Sequence, residues 1–169
     1  MAETKRIYPY NREAAVAYAH KWARMRNPKY YDFEAIGGDC TNFASQCIYA
    51  GTGIMNHVKD IGWYYYDINN RAPAWTSVQF LFEFLTANKG AGPFGSVCGI
   101  DQIQPGDIVQ LILDKKIYQH TPVIVSLKKP LTLASVLVAA HSIDSDMRPL
   151  STYDIHGIRF IHIEGYRRG

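Results

Sequence analysis

The chain has 169 residues and a mass of 19.1 kDa, a length that predicts one domain over residues 1–169. Its 47% apolar and 20% charged residues exclude a disordered chain. The net charge of +3 is small and no run of Lys or Arg exceeds two residues, which argues against nucleic acid as a partner.

The sequence shows no signal for a membrane span, an export leader or a disulfide framework. No apolar run approaches the roughly 20 residues that a membrane-spanning helix needs. The first residues, from Met1 to Arg6, lack the apolar stretch of a secretory signal. The three cysteines, Cys40, Cys47 and Cys98, have no metal-like spacing, and their odd number predicts at least one free thiol.

Helical periodicity dominates the first half of the chain. Asn11 can cap a first helix that extends to Arg26. A second helix is expected from Cys40 to just before Gly51, and a third from Thr76 or Ser77 to about Asn88.

The second half changes to the period of strands. Strands are predicted over Ile108 to Leu113, Ile117 to Leu127, Leu133 to His141 and Gly157 to Glu164. Helices followed by strands predict an α+β fold in which N-terminal helices pack against a C-terminal antiparallel β-sheet. The helix at Cys40 is expected to cover one face of that sheet.

The strongest chemical signal is the cysteine that follows two glycines. Gly37 and Gly38 allow a tight backbone approach, and Cys40 then begins a helix. Unpaired N–H groups and the positive end of the helix dipole favour a thiolate there, and they can also face an oxyanion. Cys40 is therefore the candidate nucleophile, whereas Cys47 and Cys98 are expected to be structural thiols.

Two histidines are candidates for the base that such a cysteine needs. His120 begins one apolar strand and His141 ends another. On neighbouring strands the first could take the thiol proton and the second could orient it, although each could equally be a core histidine. A zinc site that uses Cys40, His120 and His141 is a further alternative.

A cluster of aromatic residues has two interpretations. The rings could line a groove for an extended polar substrate, or they could bury one face beneath a long connection. The groove interpretation involves Trp63, Tyr64, Tyr65 and Trp75.

The order of several motifs resembles a known group of enzymes. The most specific segment is Asp39-Cys40-Thr41-Asn42-Phe43, within Gly37 to Gln46. It lies among Tyr10 to Ala15, Asn27-Pro28, Tyr30-Tyr31, Pro105-Gly106-Asp107, His120, His141 and Arg148-Pro149-Leu150. This pattern resembles the bacterial "putative amidase domain" family, within the papain-like cysteine hydrolases of the NlpC and CHAP types.

The resemblance implies a papain-like fold and amide hydrolysis with Cys40 as nucleophile and His120 as base, without a metal or other cofactor. His141 occupies the place of the third catalytic group, Asp144 could serve instead, and Asp39 is expected to support the loop. The implied substrate is peptidoglycan or a similar peptide amide, and the implied location is the cell surface, the exterior or a phage lysin. A cell-wall-binding module without turnover and an amide acyltransferase are the alternatives on the same fold.

Overall fold

The computed structural model describes residues 4–169, so Met1, Ala2 and Glu3 lie outside the described residues. The helices are α1 (Arg12–Trp22), α2 (Cys40–Thr52), α3 (Pro73–Thr76) and α4 (Val78–Ala87). None of the helices in residues 4–169 is long and apolar enough to cross a membrane.

The ends of the helices follow local capping chemistry. The Asn11 side chain accepts a hydrogen bond from the Ala14 N–H at 3.0 Å, as the sequence predicts for the start of α1. This helix ends at Trp22, four residues before the predicted Arg26. The end of α2 is set by Gly53, whose φ of 66° gives the left-handed cap that we had expected at Gly51.

The strands form two sheets. A short hairpin joins β1 (Tyr65–Asp67) to β2 (Asn70–Arg71). The large sheet is antiparallel with the strand order β3-β8-β4-β5-β6-β7. Its strands are β3 (Gly92–Cys98), β4 (Ile108–Ile112), β5 (Val123–Leu127), β6 (Val136–Ala140), β7 (Ser145–Pro149) and β8 (Gly157–Arg167). The predicted α+β class, with helices packed against an antiparallel sheet, is confirmed.

Both faces of the large sheet are buried, because alternate residues of each strand join different apolar clusters. Val123 and Ala139 pack with the helices on one face. Ile124 and Val138, their neighbours along the strands, pack in a second cluster on the other face. The helix α2 contacts both β3 and β6, and its first residue lies at the end of the sheet where β5 begins.

Candidate active site

The loop before α2 delivers Cys40 as the first residue of that helix. Gly37 and Gly38 have φ of 106° and 98°, a backbone conformation that side chains other than glycine rarely adopt. Asp39 occupies the N-cap position, but its side chain caps none of the helix N–H groups. The first turn of α2 therefore has N–H groups without a side-chain acceptor, as a site for a developing negative charge requires.

The Cys40 thiol is largely buried. The residue is 7% exposed, and its Sγ lies 3.7 Å from Thr41 Oγ1 and 3.9 Å from the Gln119 carbonyl oxygen. Burial raises the pKa of the thiol above its ordinary value, against hydrogen bonds from the Thr121 and Thr41 N–H groups that lower it. The sequence predicts a thiolate at this helix start, whereas burial acts in the opposite direction and favours the neutral thiol.

His120 lies three residues before β5, where an isolated β-bridge pairs its backbone with Leu111 of β4. The Leu111 N–H donates to the His120 carbonyl at 3.0 Å, which fixes the backbone next to the side chain. The ring packs against Tyr153, with 5.5 Å between the ring centroids. Burial, and after it the charge of Arg148, lower the pKa of His120 to about 4, so the imidazole is neutral at pH 7 and can accept a proton.

Cys40 and His120 line the same cavity, which has a volume of about 510 Å³. Within residues 4–169 no hydrogen bond joins the thiol to the imidazole, so the two groups share a space rather than a contact. The remaining wall residues are Gly37, Gly38, Leu113, Asp114, Gln119, Ser142, Ile143, Arg148, Thr152, Tyr153, Asp154 and His156.

His141 lies on the other side of the sheet from His120 and serves the loop of Cys40. Its Nδ1 lies 2.5 Å from Asp39 Oδ2, its Nε2 lies 2.9 Å from the Trp22 carbonyl oxygen, and its ring stacks on Phe43 at 4.1 Å. Both ring nitrogens thus face acceptors, a carboxylate and a backbone carbonyl, which hold the ring in place. The structure therefore places this histidine beside Asp39 and Trp22, and not in line with His120.

The register of β5 and β6 explains this placement. Val123 pairs with Ala139 on the helix-facing side of the sheet. Because side chains alternate along a strand, His141, two residues after Ala139, faces the helices, whereas His120, three residues before Val123, faces away. Two histidines at strand ends are thus separated by the sheet, although their sequence positions are those of a serial pair.

The two acidic candidates, Asp39 and Asp144, are both held in place by hydrogen bonds to groups outside the cavity. Asp39 Oδ1 accepts from the Phe33 N–H and from Asn42 Nδ2, both at 2.9 Å, which is the loop support that the sequence predicts. Asp144 receives two hydrogen bonds from Arg26, at 2.8 and 3.1 Å, and is not part of the cavity wall. Its carboxylate fastens the segment after α1 to the turn between β6 and β7.

The aromatic cluster belongs to the hydrophobic core and not to a groove. Trp63 and Trp75 are fully buried, and Tyr64 and Tyr65 are 5% and 8% exposed. The indole N–H groups donate inward at 3.0 Å, from Trp63 to Ser45 Oγ and from Trp75 to Asn42 Oδ1. The groove interpretation is wrong because all four rings are buried, and the two indoles are held in the interior by polar partners on α2.

The sequence analysis missed the far wall of the cavity. Arg148 and Tyr153 lie there, although Arg148 carried part of the resemblance without a role. Tyr153 stands in a polar stretch without periodicity, and no local signal marks it. In residues 4–169 no three His, Cys, Asp or Glu side chains are grouped to hold a metal ion.

Comparison with known proteins identifies the family. The family model described as "Putative amidase domain" matches residues 9–163. "Uncharacterized protein YhbB" of Bacillus subtilis (strain 168) is 30% identical over 152 residues, which are 88% of this chain and 47% of that protein. The chain thus spans about half the length of this curated relative, and no solved structure matches it significantly. By the match over nearly its whole length, the chain belongs to the "Putative amidase domain" family, whose description indicates amide hydrolysis.

Proposed function

We propose that this protein hydrolyses amides through a thioester on Cys40, with His120 as the general base and acid. The observation that carries the proposal is the shared cavity: a helix-start thiol and a neutral imidazole line one space of about 510 Å³. The family description supports amide hydrolysis, and the resemblance to papain-like hydrolases supports the cysteine mechanism.

The proton moves during the attack, because both groups rest in their neutral forms. His120 takes the thiol proton while Cys40 Sγ bonds to the substrate carbonyl carbon and the carbonyl oxygen becomes an oxyanion. The N–H of Cys40 at the start of α2 faces that charge. His120 then protonates the nitrogen as the C–N bond breaks, and the amine leaves. Water, deprotonated by His120, attacks the thioester, which releases the acid and restores the thiol.

We propose that Cys40 and His120 act as a catalytic dyad, and that His141 supports the site without acting as a third catalytic group. The side chains of His141 and Asp39 fix the loop that carries Cys40. They are positioning residues, since their polar atoms bond to each other and to the backbone. Asp144 acts one step further away through Arg26.

The substrate class that we propose is peptidoglycan or a related peptide amide. The cavity is open at a rim that includes Gly37, Gly38 and the exposed Ile143, so a chain can enter from solvent. The wall carries a few polar groups, among them the thiol, the imidazole and the Arg148 guanidinium, which can bind the polar groups of a peptide.

The test measures free amines released from purified cell walls by the wild type, Cys40→Ala, His120→Gln and Cys98→Ala. Cys98 is the matched control, because it is a free thiol on β3 that does not line the cavity. We expect release by the wild type and Cys98→Ala, and a loss of at least about 100-fold in the other two variants. An acid-quenched sample should carry an acyl adduct on the peptide that contains Cys40.

The same experiment separates the alternatives. Equal amine release by Cys40→Ala would contradict the proposal. Wall binding by both proteins with release by neither would indicate a binding module, and capture of the thioester by an added amine in preference to water would indicate an acyltransferase.

A further inference from the structure

Arg148 presents a fixed guanidinium to the cavity. It lies in β7, and its Nε donates to Thr152 Oγ1 at 2.7 Å while Nη2 donates to the Thr152 carbonyl at 3.2 Å. Its Cζ lies 3.6 Å from the centroid of the Tyr153 ring. A guanidinium held flat on an aromatic ring by two hydrogen bonds loses little freedom when it binds a planar anion.

No carboxylate neutralises this cation among the residues that the structure describes. Arg148 is the one Lys or Arg in the cavity wall, and it forms no ion pair within residues 4–169. The two acidic wall residues have partners of their own. Asp114 accepts from Gln119, and Asp154, whose side chain is 94% exposed, lies 3.3 Å from His156. Neither carboxylate pairs with Arg148, so its guanidinium remains available to an anion that enters the cavity.

Tyr153 adds a donor beside the guanidinium. Its hydroxyl is buried and has no hydrogen-bond partner in the described part of the chain. Burial raises the pKa of Tyr153 above its ordinary value, so the hydroxyl keeps its proton at neutral pH. A buried donor without an acceptor is unfavourable, and the Arg148 guanidinium beside it can only donate.

We infer that Arg148 and Tyr153 form a subsite for a carboxylate of the substrate, next to the reacting pair of Cys40 and His120. This inference rests on the proposed function and specifies its substrate. A cavity of about 510 Å³ corresponds to a sphere roughly 10 Å across, which about three extended residues span. The amide that is cut therefore lies within about three residues of a free carboxylate.

The test uses two forms of one probe. Soluble muropeptides with free carboxylates are compared with the same muropeptides after carbodiimide amidation with ammonium, which converts the carboxylates to carboxamides. Hydrogen bonds to charged groups are the strong ones, and we expect the wild type to prefer the native probe by roughly 10- to 100-fold in kcat/KM.

The variants assign that preference to the two residues. We expect Arg148→Gln to reduce the ratio below about threefold, Arg148→Lys to restore part of it, and Tyr153→Phe to reduce it several-fold. Arg167→Gln is the matched control, since Arg167 also stacks on a ring, that of Phe94 at 3.8 Å, away from the cavity. It should keep the wild-type ratio.

Binding measurements make the subsite testable without turnover. The dissociation constants of both probes are measured for Cys40→Ala with and without Arg148→Gln, and the same ratios are expected. Preferential binding through Arg148 without amine release by the wild type would leave the subsite standing and overturn the proposed function. Amine release that depends on Cys40 but not on the carboxylate would overturn the subsite and leave the proposed function standing. A preference that survives Arg148→Gln, or no binding of either probe, also overturns the subsite.

Discussion

The low proton affinity of His120 predicts how the stability of the fold changes with pH. The pKa of His120 falls from 6.5 to about 4, mainly because the ring is buried. Between these values the unfolded chain binds a proton that the native protein does not, so lowering the pH favours unfolding. At about 1.4 kcal/mol for each pKa unit, the native state loses about 3 kcal/mol of stability from this one ring between neutral pH and pH 4.

A difference measurement isolates that contribution. The free energy of unfolding is measured in urea for the wild type and His120→Gln from neutral pH down to about pH 4, with tryptophan fluorescence as the signal. All other side chains are the same in both proteins, so the difference between the two isolates the contribution of His120. We expect the wild type to lose about 3 kcal/mol more than the variant over this range.

The control is His156→Gln, which alters a histidine on the same cavity whose side chain is 61% exposed. It shows how much of any change comes from replacing a histidine at this wall. If the stabilities of wild type and His120→Gln run parallel within about 1 kcal/mol, the imidazole is solvated and the desolvation argument for a neutral base is refuted.

Three further predictions concern the thiol, the core and the rim of the cavity. Burial raises the pKa of Cys40, so its alkylation by iodoacetamide should still accelerate above pH 9.0; a rate already constant at neutral pH would contradict this. Trp63→Ala should cost about 3–5 kcal/mol in the free energy of unfolding, because it removes a fully buried ring. Its kcat/KM should be preserved at a low temperature at which the variant stays folded. A folded variant without activity would instead support the interpretation of this ring as part of a substrate groove. Ser142 and Ile143 both have positive φ, 60° and 54°, a conformation that suits glycine and asparagine. Ser142→Asn combined with Ile143→Gly should therefore raise the stability by about 1–2 kcal/mol, measured as a higher Tm, and an unchanged or lower Tm would contradict the argument from strain.

The sequence predicts the centre of the sheet and misses its margins. The strands β4, β5, β6 and β8, which occupy the middle, contain the apolar runs that identify a buried strand. The two unpredicted strands of this sheet, β3 and β7, are its edges. Their sequences contain glycine, proline and charged residues, which edge strands tolerate because one side of the backbone makes no ladder bonds.

The candidate site divides in the same way. Cys40 at a helix start follows from local sequence, since two glycines and a polar N-cap precede an apolar helix. The separation of His120 from His141 depends on register, because a slip of one residue in either strand would place both histidines on the same face. Arg148 lies on the edge strand β7 and Tyr153 in the segment after it, and no spacing of residues in the sequence indicates that either side chain lines the cavity.

The position of β8 has a consequence for how the protein is made. This strand, Gly157–Arg167, lies between β3 and β4, both of which leave the ribosome before it. Until β8 emerges, each of those strands has an unpaired backbone edge, and a nascent chain in that condition can pair with other chains. Translation that stalls before Gly157 would therefore yield an aggregation-prone intermediate. The sheet is complete only when β8, the last of its strands to be synthesised, pairs with β3 and β4.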